Sequence, residues 1–241
     1  MGIDYKNFLY RTLANLILIK ELGHHAEKRQ GRKIVKGTNN IRSNGVFKNE
    51  ILNRIQGLYL KTYEVPIFFD LFIALIGQIE YYGFEKYSSV GKKYDINTNI
   101  NQNQYDLLSR VNLFTHTINC FCLSLEQSTN IPSETREEIT ILALAHDYGK
   151  CPMIFKEFAR NTKDPHNYVS AEFLRSVCID LEIDMSVRDR MVDVIRKHHN
   201  TGDDQDNNSF FIQQLNEIDI EARKSELEKI YQGERVLGGK S

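Results

Sequence analysis

Only four prolines interrupt the 241 residues, and no long run alternates apolar with polar side chains. Apolar residues recur instead at three- and four-residue spacing, so the chain has helices as its main option, and we read it as all-α. Tyr5 to Lys28 fit one amphipathic helix, with Phe8, Leu9, Leu13, Leu16 and Ile17 on one face. Phe47 to Tyr63 fit a second, and Pro66 restarts the chain into an aromatic-rich helix ending near Tyr82. Further helices are expected over Tyr105–Glu126, Ser133–Tyr148, Asn167–Ile179, Ser186–His198 and Phe210–Tyr231, with Ser133 and Ser186 as N-caps. The segment Lys92–Gln104, rich in asparagine and glutamine, is too polar for a core and reads as a surface connector. The chain thus divides into an N-terminal helical region (1–91), a polar loop (92–104), a second helical domain (105–232) and a flexible tail (233–241).

A formal net charge of −1 gives no overall attraction for polyanions, which argues against a nucleic-acid coat protein. The most apolar stretch, Val65 to Ile79, is broken by Pro66, Asp70 and Gln78, well short of the roughly 20 residues that span a bilayer. Asp4, Lys6 and Arg11 interrupt the start, which also lacks a cleavage pattern, so we expect a cytoplasmic protein with no membrane partner. Cys120, Cys122, Cys151 and Cys178 form no CxxC pair and are expected to be buried thiols.

Chemistry concentrates in the second half. The apolar helix Ile139 to Ala145 runs straight into His146-Asp147, followed by Tyr148-Gly149-Lys150, where Gly149 is suited to a left-handed helix cap. An imidazole and a carboxylate at the inner end of a buried helix are costly unless they meet a cation or hydrogen-bond partners, and both are ligands for divalent metals. His116 sits on the apolar stretch Val111 to Leu125, and Asp219 on a face shared with Leu215, Ile218 and Ala222. His166 opens a helix after Asp164-Pro165, and His198-His199 close one. Aromatic residues Phe68, Phe69, Phe72, Tyr81 and Tyr82 suit core packing better than a dimer surface, and the sequence leaves homo-oligomerisation open.

In order, His116, His146, Asp147 and Asp219 resemble the H…HD…D pattern of the HD superfamily, over about Leu107 to Ile230. The text HDYGK matches the common form HDxGK, and LNEIDIEAR is similar to the helix carrying the family's last aspartate. The resemblance implies an HD-domain helical bundle with an additional N-terminal helical region. With His166, His198 and His199 included, the order H…HD…H…HH…D is similar to that of HD-GYP proteins and of cyclic-di-AMP phosphodiesterase HD domains. It implies that His116, His146, Asp147 and Asp219 hold one divalent ion while His166, His198 and His199 hold a second, bridged by Asp147. Mn, Fe, Co or Mg would serve. After the doubled histidine the chain reads Asn200-Thr201-Gly202-Asp203-Asp204-Gln205, without a GYP run, so cyclic-di-GMP specificity is not supported.

The function expected on this resemblance is metal-dependent hydrolysis of a nucleotide phosphate ester, a cyclic or linear dinucleotide foremost, by metal-activated water. Asp147 belongs to that chemistry, with Lys150 and Arg223 as cations facing the phosphate. Two alternatives compete. One is a relaxase-like HD protein that processes or binds nucleic acid through the basic link Arg29 to Arg42, next to His24-His25. The other is a non-catalytic helical sensor that binds nucleotide or metal without turnover.

Overall fold

The computed structural model describes residues 47–90, 102–127, 130–199 and 208–238. The expected helix Tyr5–Lys28, the basic link and the run Asn200–Gln205 after the doubled histidine lie outside the described residues, as do positions 92–101 of the expected connector. Among the described residues the fold is a helical bundle without strands. One isolated antiparallel bridge joins Ser88 to Asn112. No helix there is long and apolar enough to cross a membrane.

Two helices come first, α1 (Glu50–Thr62) and α2 (Phe69–Tyr82). Asn49 caps α1 by accepting from the Ile51 amide, and Gly83, in the left-handed region at φ 64°, ends α2. A short α3 (Gln102–Leu108) follows, then α4 (Leu113–Gln127). The single helix expected over Tyr105–Glu126 is therefore two. The break has a physical cause: Ser89 N–H donates to Val111 O, Leu113 N–H donates to Tyr87 O, and Asn112 Oδ1 accepts from Thr115 N–H to start a new helix. The order continues through α5 (Ser133–Ala145), α6 (Pro152–Phe158), α7 (His166–Asp180), α8 (Met185–Lys197) and α9 (Ser209–Gly238). Helix α6, which periodicity alone does not reveal in so short a run, starts on Pro152, whose fixed φ suits a first turn. Neither expected serine cap forms. Ser133 already lies inside α5, and Asp184 caps α8 by accepting from the Ser186 and Val187 amides.

Helix α5 is the axis of the bundle and is buried continuously from Glu137 to Ala145. The first two helices pack on it and on each other: the Tyr63 hydroxyl lies 2.8 Å from Thr140 Oγ1 of α5, Tyr59 stacks on Phe72 at 3.9 Å between ring centroids, and Phe72 lies 5.7 Å from Phe121 of α4. Phe68 and Phe72 thus serve the core. Buried Glu137 accepts from the Tyr59 hydroxyl and from the amides of Ile67 (2.9 Å) and Phe68 (2.7 Å), satisfying donors at the start of α2. On the other side, buried Glu138 takes a two-pronged bond from Arg190 of α8, 2.8 Å at each prong.

Candidate metal centre

The end of α5 sets the site. His146 keeps helical backbone angles, Asp147 turns at φ −106° and ψ 7°, and Tyr148–Lys150 make one 3₁₀ turn. Gly149 has no left-handed φ, contrary to the expected cap. Its role is steric: a β-carbon there would sit 2.1 Å from the His166 carbonyl oxygen and 2.9 Å from the Ser170 nitrogen. Glycine lets the 3₁₀ turn lie directly on the first turn of α7, and the Gly149 amide donates to Ser170 Oγ at 2.8 Å. That close approach brings His166 to Asp147.

Asp147, 1% exposed, faces both ways. Its Oδ2 lies 3.2 Å from His116 Nε2 and 3.5 Å from His146 Nε2, while its Oδ1 lies 3.3 Å from His166 Nε2. Asp219 Oδ1, on α9, approaches His116 Nε2 at 3.1 Å and His146 Nε2 at 3.9 Å. Around His166, His199 Nε2 is 3.0 Å from His166 Nε2, and the His198 and His199 rings are 3.8 Å apart. All seven residues expected from the sequence therefore meet at one centre. Six of them fall into two groups of close donor atoms, one around His116, His146 and Asp219 and one made of His166, His198 and His199, with Asp147 between the two.

Backbone and carboxylate partners fix which ring nitrogen faces inward. His146 Nδ1–H donates to Ala143 O at 2.9 Å and His198 Nδ1–H to Ile195 O at 2.6 Å, so each Nε2 presents a lone pair to the centre. His116 Nδ1–H donates to Glu226 Oε1 at 3.0 Å, and its Nε2 faces the carboxylates of Asp147 and Asp219. Buried His146 Nε2, His198 Nε2, Asp147 Oδ1 and Asp219 Oδ1 have no hydrogen-bond partner. Lone pairs and anionic oxygens collected this way repel one another unless a cation lies among them, so the donor set fits divalent metal ions. Burial opposes charge on Asp147, yet His146 and Lys150 hold its carboxyl well below the usual range. Burial and the neighbouring histidines hold His198 well below the usual imidazole range, and desolvation with His166 pushes His199 down to about 4. Both rings thus keep their lone pairs at neutral pH.

Two cations border the centre. Lys150 Nζ is 2.6 Å from Asp147 Oδ2, its side chain 8% exposed. Arg223, 12% exposed, donates to Ser89 Oγ and Ser89 O at 2.7 Å each and lies 3.5 Å from Asp147 Oδ2 and 3.7 Å from Asp219 Oδ1. Sequence reasoning missed two contributors. Glu226 shares a face of α9 with Asp219 and Arg223 at helical spacing, a pattern present in the sequence but read only as far as Arg223. Cys120, one turn after His116, places Sγ 3.6 Å from His116 Nε2, where we expected only a buried thiol.

Residues 113–228 match the family model described as HD domain. This part of the chain is an HD domain. No curated protein and no solved structure matches the chain. The HD domain carries two clusters of potential metal ligands typical of HD-type phosphohydrolases, one on each side of Asp147.

Proposed function

We propose that the HD domain is a two-metal phosphohydrolase acting on a nucleotide phosphate ester, with a cyclic or linear dinucleotide as the first choice of substrate. The observation that carries this reading is the position of Asp147, whose two carboxylate oxygens face two separate imidazole groups. His116, His146 and Asp219 would hold one ion, His166, His198 and His199 the other, and Asp147 would bridge them. A pair of Mn, Fe, Co or Mg ions supplies Lewis-acid activation of water and of the phosphoryl group when bound.

The chain's own side chains have defined tasks in such a reaction. Glu226, Ala143 O and Ile195 O lock the imidazoles in their inward-facing tautomers. In this reading Lys150 stabilises charge growing on the phosphate, a role supported by its ammonium lying 2.6 Å from Asp147 Oδ2 at the edge of the centre. Arg223 adds positive potential while its contacts to Ser89 hold it in place.

Elemental analysis of purified wild type and Asp147→Ala tests the metal reading. Wild type should carry close to two ions per chain and the variant should lose most of them; equal content would overturn the assignment. A screen of cyclic dinucleotides, linear dinucleotides, mononucleotides and single-stranded DNA with Mn or Fe then tests the substrate class. Turnover of none of the small nucleotides would remove that part of the proposal.

A further inference from the structure

We propose that Cys120 contributes its sulfur as a further protein ligand to the ion that His116, His146, Asp219 and the shared Asp147 would hold. This rests on the metal reading above and goes beyond it, because it makes the two positions chemically unlike.

The placement is local in origin. Cys120 follows His116 by one turn of α4, so both side chains leave the same face of the helix. Both residues are fully buried. The ligand atoms of His116, Cys120, His146 and Asp219 all lie within 4.8 Å of one another. The His116 Nε2 to Cys120 Sγ separation is 3.6 Å. Bonds of about 2.05 Å to nitrogen and about 2.3 Å to sulfur at an angle of about 110° give a nitrogen–sulfur separation of about 3.6 Å.

A second observation points to a ligand. His146 Nε2, on a fully buried ring, has no hydrogen-bond partner and belongs to the same close group as Cys120 Sγ. A thiol acting only as a packing group does not relieve that lone pair, and its weak S–H bond to His116 brings no positive charge to the two carboxylates nearby. An ion bonded to this group relieves every member at once. The sulfur would give this donor set, with two imidazoles and the carboxylates of Asp219 and Asp147, a soft member that the three imidazoles on the other side of Asp147 lack. Such a set favours Zn, Co and Fe over Mn and Mg.

Cobalt(II) is the probe, added to the metal-free full chain. Wild type should show a sulfur-to-cobalt charge-transfer band in the near ultraviolet. Cys120→Ser should lose that band while still taking up cobalt, and its preference for Zn over Mn should fall by about tenfold or more in competition titrations. Cys122→Ser serves as a control that keeps the band. Cobalt uptake by wild type without the band, or a band that survives in Cys120→Ser, would overturn the sulfur ligand and leave the metal reading standing. No cobalt uptake by wild type would overturn both. If Cys120→Ser does not fold, as judged by circular dichroism, Cys120→Ala replaces it. If neither folds, the wild-type spectrum decides, because Cys122, Cys151 and Cys178 belong to neither cluster of ligand atoms found among the described residues.

Discussion

The candidate centre is held in shape by residues outside its two groups of donor atoms, and Glu226 is the sharpest case. Its Oε1 takes the Nδ1 proton of His116 and a bond of 2.9 Å from Asn119, so it fixes the ring and makes its Nε2 a better donor. Glu226→Leu is expected to weaken metal binding by about 10- to 100-fold, and Glu226→Gln, which still accepts the bond, by less. Titration with a fluorescent metal competitor measures this; unchanged affinity in the leucine variant would show that His116 needs no partner. Glu126, at the other end of α4, gives a pH-dependent test. Burial raises its carboxyl to about 7. A carboxyl raised in the folded state favours folding fully below its unfolded value of about 4.5, and that contribution is lost as pH rises through about 7. Glu126→Gln should therefore gain stability relative to wild type across pH 4.5 to 7. Melting curves at pH 4.5 and pH 8 decide, and an equal difference at both would show that the carboxyl titrates as in water.

At the scale of elements, the sequence showed which helices carry ligands but not how their ends meet. His146-Asp147 at the close of an apolar run, and His198-His199 at the close of another, were legible through their joint order with His116, His166 and Asp219, which resembles the HD pattern; singly, each is a common feature of helix ends. The break at Val111-Asn112 was not, because it arises from contacts between segments distant in the chain, and α6 was not, because seven residues are too few to show a helical period. Gly149 was legible as a special position and misread in kind, since a close approach and a positive φ look alike in sequence. Its packing against α7 yields a prediction. Gly149→Ala forces the first turn of α7 away from Asp147, and overpacking of this sort costs about 1–3 kcal/mol. Calorimetry should show that loss, and metal analysis should show depletion of the position that includes His166. A variant with wild-type melting and full metal content would mean that α7 shifts freely.

On the scale of the whole molecule, the expected division at the polar segment 92–104 separates parts that share one hydrophobic core in the described residues. Tyr148, next to the bridging aspartate, donates its hydroxyl to Leu75 O at 2.9 Å and packs its ring 4.8 Å from Phe84. Ser89 receives both terminal nitrogens of Arg223. The helices before the segment therefore support the floor and one wall of the metal centre, a dependence that no spacing rule announces. Glu137 is where this dependence can be tested with a single substitution. Its carboxylate satisfies the Tyr59 hydroxyl and two backbone amides, and each buried donor left without a partner costs about 1–3 kcal/mol. Glu137→Ala is expected to lower the melting temperature of the entire chain in one transition, with metal released in that same transition, because α1 and α2 unfold together with the centre. Separate transitions for early helices and metal release would instead establish that the HD domain stands without them.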